Sequence, residues 1–129
     1  MVIGNDLIVS WREGANFGID RIDWTTKYPN AYLTTLIIAG TRHRAKDFKN
    51  YIISYDNRPV GTDITLETSI NQGPFALQTL TDDVANAKTK LQRTLAGGNL
   101  QLRIRLTTSG NLSPIVSEIY CDWDEKQTL

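Results

Sequence analysis

Few residues of this chain are of types that carry out chemistry, and none has the spacing of a recognised catalytic motif. The carboxylates closest together in the sequence are Asp82 with Asp83, and Asp122 with Asp124 and Glu125. General acid–base catalysis needs two carboxyl groups that converge on one bond in environments separating their pKa values. Sequence proximity shows no such convergence, so we interpret both groups as solvated charge in a turn and a terminal segment.

Histidine and cysteine are too scarce for the usual nucleophilic or zinc sites. His43 is the only histidine, so a Ser-His-Asp or Cys-His arrangement would have to use it. Cys121 is the only cysteine, which excludes an internal disulfide, and the pair cannot supply a structural zinc set. Cys121 lies in an apolar run and is interpreted as a small buried hydrophobic residue. We expect no catalytic residue, no metal site and no cofactor, and hence a protein that is not an enzyme.

A calcium site is the one metal site that the oxygen ligands allow. Asp56, Asn57 and Asp63 are close in sequence and carry oxygen atoms of the kind that Ca²⁺ binds. No recognised calcium-loop spacing is present, so we favour a turn here.

An aromatic and polar segment offers a candidate glycan site. Trp24, Tyr28 and Asn30 lie in a segment that we predict to be a loop, where aromatic faces could stack on sugars and the amide could bind hydroxyl groups. The alternative is that the rings fill the core or a subunit interface, where Trp and Tyr are also enriched.

Charge excludes some partners and suggests one kind of contact. The 129 residues carry 14 basic and 14 acidic side chains, and this neutral balance lacks the positive field that drives nucleic-acid binding. We therefore expect no nucleic acid partner, and no apolar stretch is long enough for membrane insertion. The first eleven residues do not have the pattern of a signal peptide.

A local basic run contrasts with the acidic segment at 122–125. The run contains Arg42, His43, Arg44 and Lys46. Separated patches of opposite charge suit head-to-tail contacts, in which one patch meets a different patch on the next copy. The basic run is thus a candidate assembly contact; the alternative is that both segments are only solvated.

The dominant pattern in the chain has a period of two residues. Residues 62–70 and 99–107 alternate apolar and polar side chains, which predicts strands with one face on a core. In the second run, Leu102 and Ile104 are expected to face inward and Arg103 outward. Arg103 and Arg105 are expected to pair across strands with acids such as Glu118.

Weaker patterns predict four further strands. Residues 7–11 are short and β-rich, and residues 32–39 are nearly continuous in apolar residues and threonine, as in a strand covered on both faces. Residues 48–55 alternate, and residues 115–123 place one set on a common face: Ile115, Ile119, Cys121 and Trp123. Turn-forming residues separate the runs at 56–61, 71–74, 97–99 and 109–111. Several short strands with such turns predict an all-β, antiparallel β-sandwich or barrel.

Residues 81–95 allow two interpretations. Thr81 could cap a helix that ends before Gly97, with Asp82 and Asp83 in its first turn. Alternatively, residues 88–95 form a strand that makes a hairpin through 97–98 with the strand at 100–106. We favour the hairpin, with at most one short helix or a loop at 82–87.

The order of strands and turns resembles a known family. Four segments carry the resemblance: FKNYIISYD (48–56), GTDITLETS (61–69), LQLRIRLTTS (100–109) and SPIVSEIY (113–120). They are similar to the jelly-roll, galactose-binding-like β-sandwich found as a module in bacteriophage tail, baseplate and other virion proteins. The resemblance covers residues 32–123 and supplies no functional residue position by position.

The resemblance implies a domain division and a function. Residues 31–129 would form the sandwich and residues 1–30 an N-terminal arm or extra strands, within one compact domain. The implied function is a virion structural protein (tail, baseplate or capsid-associated), synthesised in the host cytoplasm, that contacts copies of itself and other virion proteins. The wider fold includes carbohydrate-binding and adhesion domains, so recognition of a host surface glycan is the alternative.

Overall fold

A computed structural model describes residues 2–3, 6–21, 29–39 and 44–126, and the regular secondary structure of these residues is almost entirely β-strand. The strands are β1 (Val2–Ile3), β2 (Asp6–Glu13), β3 (Asn16–Arg21), β4 (Ala31–Thr34), β5 (Lys46–Asn57), β6 (Asp63–Ile70), β7 (Ala76–Gln78), β8 (Thr81–Asp83), β9 (Lys88–Leu91), β10 (Leu95–Gly97), β11 (Leu100–Thr107) and β12 (Ile115–Glu125). One turn of 3-10 helix, Val84–Asn86, joins β8 to β9. The all-β expectation is confirmed, and every strand pair is antiparallel.

Two sheets share one hydrophobic core. The first sheet contains β12, β5, β9, β10 and β8, with β5 central, and the second sheet has the order β4-β11-β6-β7. The buried side chains come from both sheets: Phe48, Tyr51, Ile53, Tyr55 and Leu91 from the first, and Ile64, Leu66, Leu100, Leu102 and Ile104 from the second. This arrangement is consistent with a β-sandwich, in which each sheet buries one face against the other.

The alternation predicted for β6 and β11 is confirmed. The two strands pair over their full lengths, with Leu102 opposite Thr68 and Ile104 opposite Leu66. Leu102 and Ile104 are buried, whereas Arg103 is directed to the other face. The predicted pairing of Arg103 and Arg105 with Glu118 is wrong, since Glu118 lies on β12 in the first sheet. The arginines of β11 pair instead with Glu67 on the adjacent strand β6.

A bulge in β5 reverses which residues face the core. Asn50 has a φ of 54°, and the pairing with β12 shifts register beside it. An extra residue in one strand changes the parity of the side-chain alternation. Consequently Lys46 and Phe48 are buried before the bulge, and Tyr51, Ile53 and Tyr55 are buried after it.

Bulges also correct the predicted face of β12. The register shifts between Ile115 and Val116, and again between Val116 and Glu118. Ile119 and Cys121 pack against the core as expected, but Val116 takes the place predicted for Ile115, which is exposed. The fourth residue of the predicted face, Trp123, lies opposite Phe48 and remains partly exposed.

The segment at 81–95 is strand rather than a long helix, but the predicted hairpin is wrong. Lys88–Leu91 pairs with β5 and β8, and Leu95–Gly97 pairs with the start of β5. Neither strand pairs with β11, which belongs to the opposite sheet. The turn at 97–99 therefore carries the chain from one sheet to the other.

The N-terminal residues form a separate small sheet. Strands β1, β2 and β3 are a three-stranded antiparallel meander, and Gly14, with a φ of 61°, lies in the tight β2–β3 turn. Glycine adopts this conformation without the steric cost of a Cβ atom. The strand expected at 7–11 is confirmed as part of β2.

The expectation that residues 32–39 are covered on both faces is wrong. Only Ala31–Thr34 form a strand, β4, and it is an edge strand of the second sheet. Its continuation reaches β11 again through the bridge between Ile38 and Leu100. Several large apolar residues of this edge segment are exposed: Tyr32, Leu33, Leu36 and Ile37.

Candidate functional site

An apolar cleft opens between two edge strands, one from each sheet. Strand β4 is an edge of the second sheet, and β12 pairs with β5 alone among the described strands. Between them lies a cleft of about 390 Å³. Its lining is Ala31, Tyr32, Leu33, Ile104, Leu106, Val116, Ser117, Glu118 and Ile119. The cleft is thus mostly aliphatic, with one carboxylate, and it can bind an apolar segment but contains no set of groups for catalysis.

The local sequence explains why the cleft stays open. Residues 31–34 follow the turn at Pro29 and Asn30, and Asn30 has a φ of 59°. Beyond Thr34 the chain bonds β11 only intermittently, through Thr35 N to Leu102 O at 2.8 Å and Ile38 N to Leu100 O at 2.7 Å. An edge strand this short cannot cover the core residues of β11 fully, and Leu106 remains partly exposed.

The N-terminal hairpin presents a second apolar surface. Phe17 and Ile19 alternate with Gly18 on β3 and are 82% and 75% exposed. The pairing of β2 with β3 places Phe17 opposite Arg12 and Ile19 opposite Ser10. The face that carries Phe17 and Ile19, here called the hairpin face, therefore combines apolar and basic side chains.

The outer surface of the second sheet carries a group of aromatic and charged residues. The Arg103 guanidinium lies 3.8 Å from the centre of the Phe75 ring and 5.1 Å from that of Tyr32. Glu67 Oε2 lies 3.7 Å from Arg103 Nη1 and 3.5 Å from Arg105 Nη2. Tyr32 is well exposed, so its ring is available to a ligand that also meets the two guanidinium groups.

The predicted glycan residues are only partly described. Asn30 is exposed in the turn before β4, two residues before Tyr32 of the aromatic group. Trp24 and Tyr28 lie outside the described residues. Tyr32, Phe75 and Arg103 were not predicted as a site, because they are far apart in sequence and only strand pairing brings them together.

The structure describes two of the four residues of the predicted assembly contact, Arg44 and Lys46. Arg42 and His43 lie outside the described residues, whereas Arg44 is exposed. Lys46 is fully buried, which corrects the expectation that its side chain contacts another copy. Its Nζ donates to Arg44 O at 3.0 Å and to Gly98 O at 3.4 Å, so backbone carbonyls hold the ammonium group inside the chain.

The basic and acidic segments pair with each other within one chain. Antiparallel pairing of β5 with β12 sets Lys49 opposite Asp122 and Asp47 opposite Asp124. The ion pairs that result are Lys49 with Asp124, Arg44 with Glu125 at 3.8 Å, and Lys126 with Asp47 at 3.0 Å. Among the described residues, Arg44 and Lys49 thus pair with the acidic segment of the same chain, so the exposed apolar surfaces are the stronger candidates for contact between copies.

Three further carboxylates considered in the sequence, Asp63, Asp82 and Asp83, have basic partners. Arg58 donates to Asp82 Oδ1 at 2.7 Å and holds the pKa of that carboxyl below its usual value, and Lys90 does the same for Asp83 at 2.6 Å. Asp63, one of the three residues considered for calcium, lies 3.6 Å from Arg58.

No metal cluster or membrane-spanning helix occurs in the part of the chain that the structure describes. Across those residues, no three His, Cys, Asp or Glu side chains are grouped so that they could hold a metal ion. Within the same ranges, no helix has the length and apolar character needed to cross a membrane.

Comparisons with known proteins add no constraint. No family model, curated protein or solved structure matches this chain.

Proposed function

We propose that this chain is a non-enzymatic structural protein of a bacteriophage virion, a tail, baseplate or capsid-associated component with a jelly-roll sandwich. It would assemble through its surfaces with copies of itself and with other virion proteins. The observation that carries the proposal is the amount of apolar surface left exposed on the hairpin face and on the β4 edge segment. Contiguous exposed apolar surface marks interaction sites in soluble proteins.

The energetic argument concerns large side chains at sheet edges. Phe17, Ile19 and Leu36 are between 75% and 89% exposed. Fully burying a side chain of this size is worth about 1.5–3 kcal/mol, so a contact that covers several of them is strongly favourable. An edge strand with unpaired backbone groups adds a template for pairing with another chain.

Assembly is tested by light scattering coupled to size exclusion on the full chain across a hundredfold concentration range. We expect a mass above that of one chain that rises with concentration. Particles of the phage that carries the gene provide the second test, since antibodies to the chain should label purified virions. A chain that stays monomeric and is missing from the particles would contradict the proposal.

A second candidate function is recognition of a host surface glycan. The observation that favours it is the outer surface of the second sheet, where the exposed ring of Tyr32 lies beside Arg103 and Arg105. A sugar could stack its apolar face on the ring, while the guanidinium groups and Glu67 bind its hydroxyl groups. Among the described aromatic residues, Tyr32 best fits this role.

Glycan binding is tested by screening the full chain on a glycan array and then measuring the best ligand by calorimetry. Tyr32→Ala should weaken binding at least tenfold if the ring stacks on the sugar. Tyr120→Ala is the matched control, because Tyr120 is also an exposed aromatic residue but lies on the first sheet. Equal affinities for the two variants, or no ligand on the array, would exclude this surface as the glycan site.

A further inference from the structure

The cleft and the hairpin face are complementary surfaces. The cleft between β4 and β12 is lined by aliphatic side chains, and Glu118 places a carboxylate among them. The hairpin face carries Phe17 and Ile19, with Arg12 opposite Phe17 on the paired strand. An apolar pair of side chains beside a guanidinium group thus matches an apolar cleft with one carboxylate.

The dimensions of the two surfaces also agree. A cleft of about 390 Å³ lies in the range of roughly 300–1,000 Å³ that encloses a drug-sized ligand, so it can accept the side chains of Phe17 and Ile19. Strand β3 pairs with β2 on one side only, and β4 and β12 each pair on one side only within the described residues. The unpaired edge of β3 could therefore also form backbone hydrogen bonds with the unpaired edge of β4 or β12 in another copy.

The chain does not satisfy this complementarity by itself. In the folded chain Phe17 and Ile19 remain exposed, and the cleft of the same chain is open. The hairpin of a second copy matches the cleft in shape and charge. It is also available wherever the chain is present, because every copy carries both surfaces.

We propose that the β2–β3 hairpin of one copy inserts Phe17 and Ile19 into the apolar cleft between β4 and β12 of a second copy. The inference rests on the proposed function, namely assembly of the chain with copies of itself, and it specifies the contact. Because the two surfaces differ, one-way insertion is a heterologous contact that builds a ring or a filament, whereas reciprocal insertion closes a two-fold dimer.

Disulfide trapping between two batches of full-length chain tests the contact directly. Both batches carry Cys121→Ser; one also carries Ile19→Cys with an affinity tag, and the other carries Leu33→Cys. A disulfide requires the two Cα atoms to come within about 7 Å, so mild oxidation of the mixture should yield a dimer with one tagged and one untagged chain. A control batch replaces Leu33→Cys with Val60→Cys, since Val60 is highly exposed, lies in the turn between β5 and β6, and does not line the cleft.

We expect the Ile19–Leu33 pair to link at least tenfold faster than the Ile19–Val60 pair. Equal rates would overturn the inference. A chain that carries both Ile19→Cys and Leu33→Cys provides a further arm: a link formed only within that single chain would also overturn it, because the hairpin would then fill its own cleft.

A pair of charge variants separates this inference from the proposed function. Phe17→Asp with Ile19→Asp adds two negative charges to the hairpin face and should weaken assembly at least tenfold by light scattering. Val9→Asp with Asn16→Asp adds the same charge to the opposite face, since Val9 lies opposite Asp20 on the paired strand, and should leave assembly unchanged.

If wild type assembles and neither variant changes it, the inference is overturned and assembly through another surface stands. If the wild-type chain is monomeric but antibodies to it label virions, the contact between copies is overturned and the virion function stands. If wild type neither assembles nor occurs in virions, both fail.

Discussion

At the scale of single residues, the core contains a polar atom that the fold does not satisfy. Among the described residues, the buried Tyr51 hydroxyl has no hydrogen-bond partner. Tyr51 belongs to the run after the β5 bulge, where the reversed alternation directs its ring into the core. Burial raises the pKa of Tyr51, with the nearby Cys121 thiol contributing further.

Tyr51→Phe is expected to stabilise the protein. The substitution removes a buried hydroxyl whose desolvation is not offset by a hydrogen bond, and the penalty for such an unsatisfied group is about 1–3 kcal/mol. Urea denaturation should show a higher midpoint with an unchanged slope. Tyr120→Phe serves as the control, because Tyr120 is exposed and its hydroxyl can bind water. A lower midpoint for Tyr51→Phe would show that the hydroxyl has a partner in the folded protein.

Cys121 makes stability depend on pH in the alkaline range. Burial, with a smaller contribution from Asp122, raises the pKa of the thiol from 9.0 to about 12. The folded state therefore keeps a proton that the unfolded state loses, and the stability present below pH 9 is lost as the pH rises toward 12.

The expected result is a free energy of unfolding that falls between pH 9 and 12, with a shallower fall for Cys121→Ala. Denaturation curves at several pH values measure it. Alkylation gives an independent readout, since a thiol with a raised pKa should react slowly with iodoacetamide at pH 8 in the folded protein. Reaction at the rate of the unfolded chain would contradict a partly buried thiol with a raised pKa.

At the scale of elements, the chain changes sheets at a junction of two turns. Asn71 follows β6 with a φ of 51°, and its Oδ1 accepts hydrogen bonds from Gly98 N at 2.7 Å and Asn99 N at 3.3 Å. Asn71 N in turn donates to Asn99 O at 3.1 Å. This one side chain joins the end of β6 to the connection between β10 and β11, and so links the two sheets.

Asn71→Ala is expected to destabilise the fold by about 1–3 kcal/mol, since it leaves two backbone N–H groups without their acceptor and puts alanine at positive φ. Asn71→Gly tolerates the backbone conformation but still lacks the acceptor, so it should recover only part of the loss. Chemical denaturation of both variants measures the effect. Asn111→Ala, in an exposed turn, should change stability by less than about 0.5 kcal/mol. Equal stability for Asn71→Ala and wild type would show that the Asn71 side chain does not stabilise the link between the two sheets.

At the scale of the whole molecule, stability is distributed unevenly. The core residues come from β5, β6, β9 and β11, whereas the hairpin exposes the large side chains of β3. Regions with few buried apolar contacts open at low free energy, so the hairpin should exchange its amide hydrogens much faster than the core strands.

Hydrogen exchange by mass spectrometry measures this distribution. In dilute samples we expect slow exchange in peptides from β5, β6 and β11 and fast exchange in β2 and β3. At concentrations where copies assemble, peptides from β3 and β4 should become protected together if the hairpin occupies the cleft, whereas peptides around the exposed turn at Val60 should not change. Hairpin amides that are as protected as those of β5 in dilute samples would contradict the uneven distribution.

The sequence by itself determined the strand character of the chain, most clearly at β6 and β11. Alternation is a local property, since successive side chains of a strand point to opposite faces, and it correctly placed Leu102 and Ile104 in the core. It also favoured a strand over a helix at 88–95, of which residues 88–91 and residue 95 lie in strands. The apolar and turn-forming residues thus predict an all-β protein without information about which strands pair.

Only the tertiary structure decided which strands pair and which residues form the candidate surfaces. Pairing depends on contacts between segments distant in sequence, and this is why β9 and β10 joined β5 rather than β11 and why Glu67 replaced Glu118 as the partner of the arginines. A bulge such as that at Asn50 changes parity without an obvious sequence pattern. Position in the sheet decided the rest: the apolar run at 32–39 has the composition of a central strand, but it lies at an edge, where its side chains line a cleft and remain exposed.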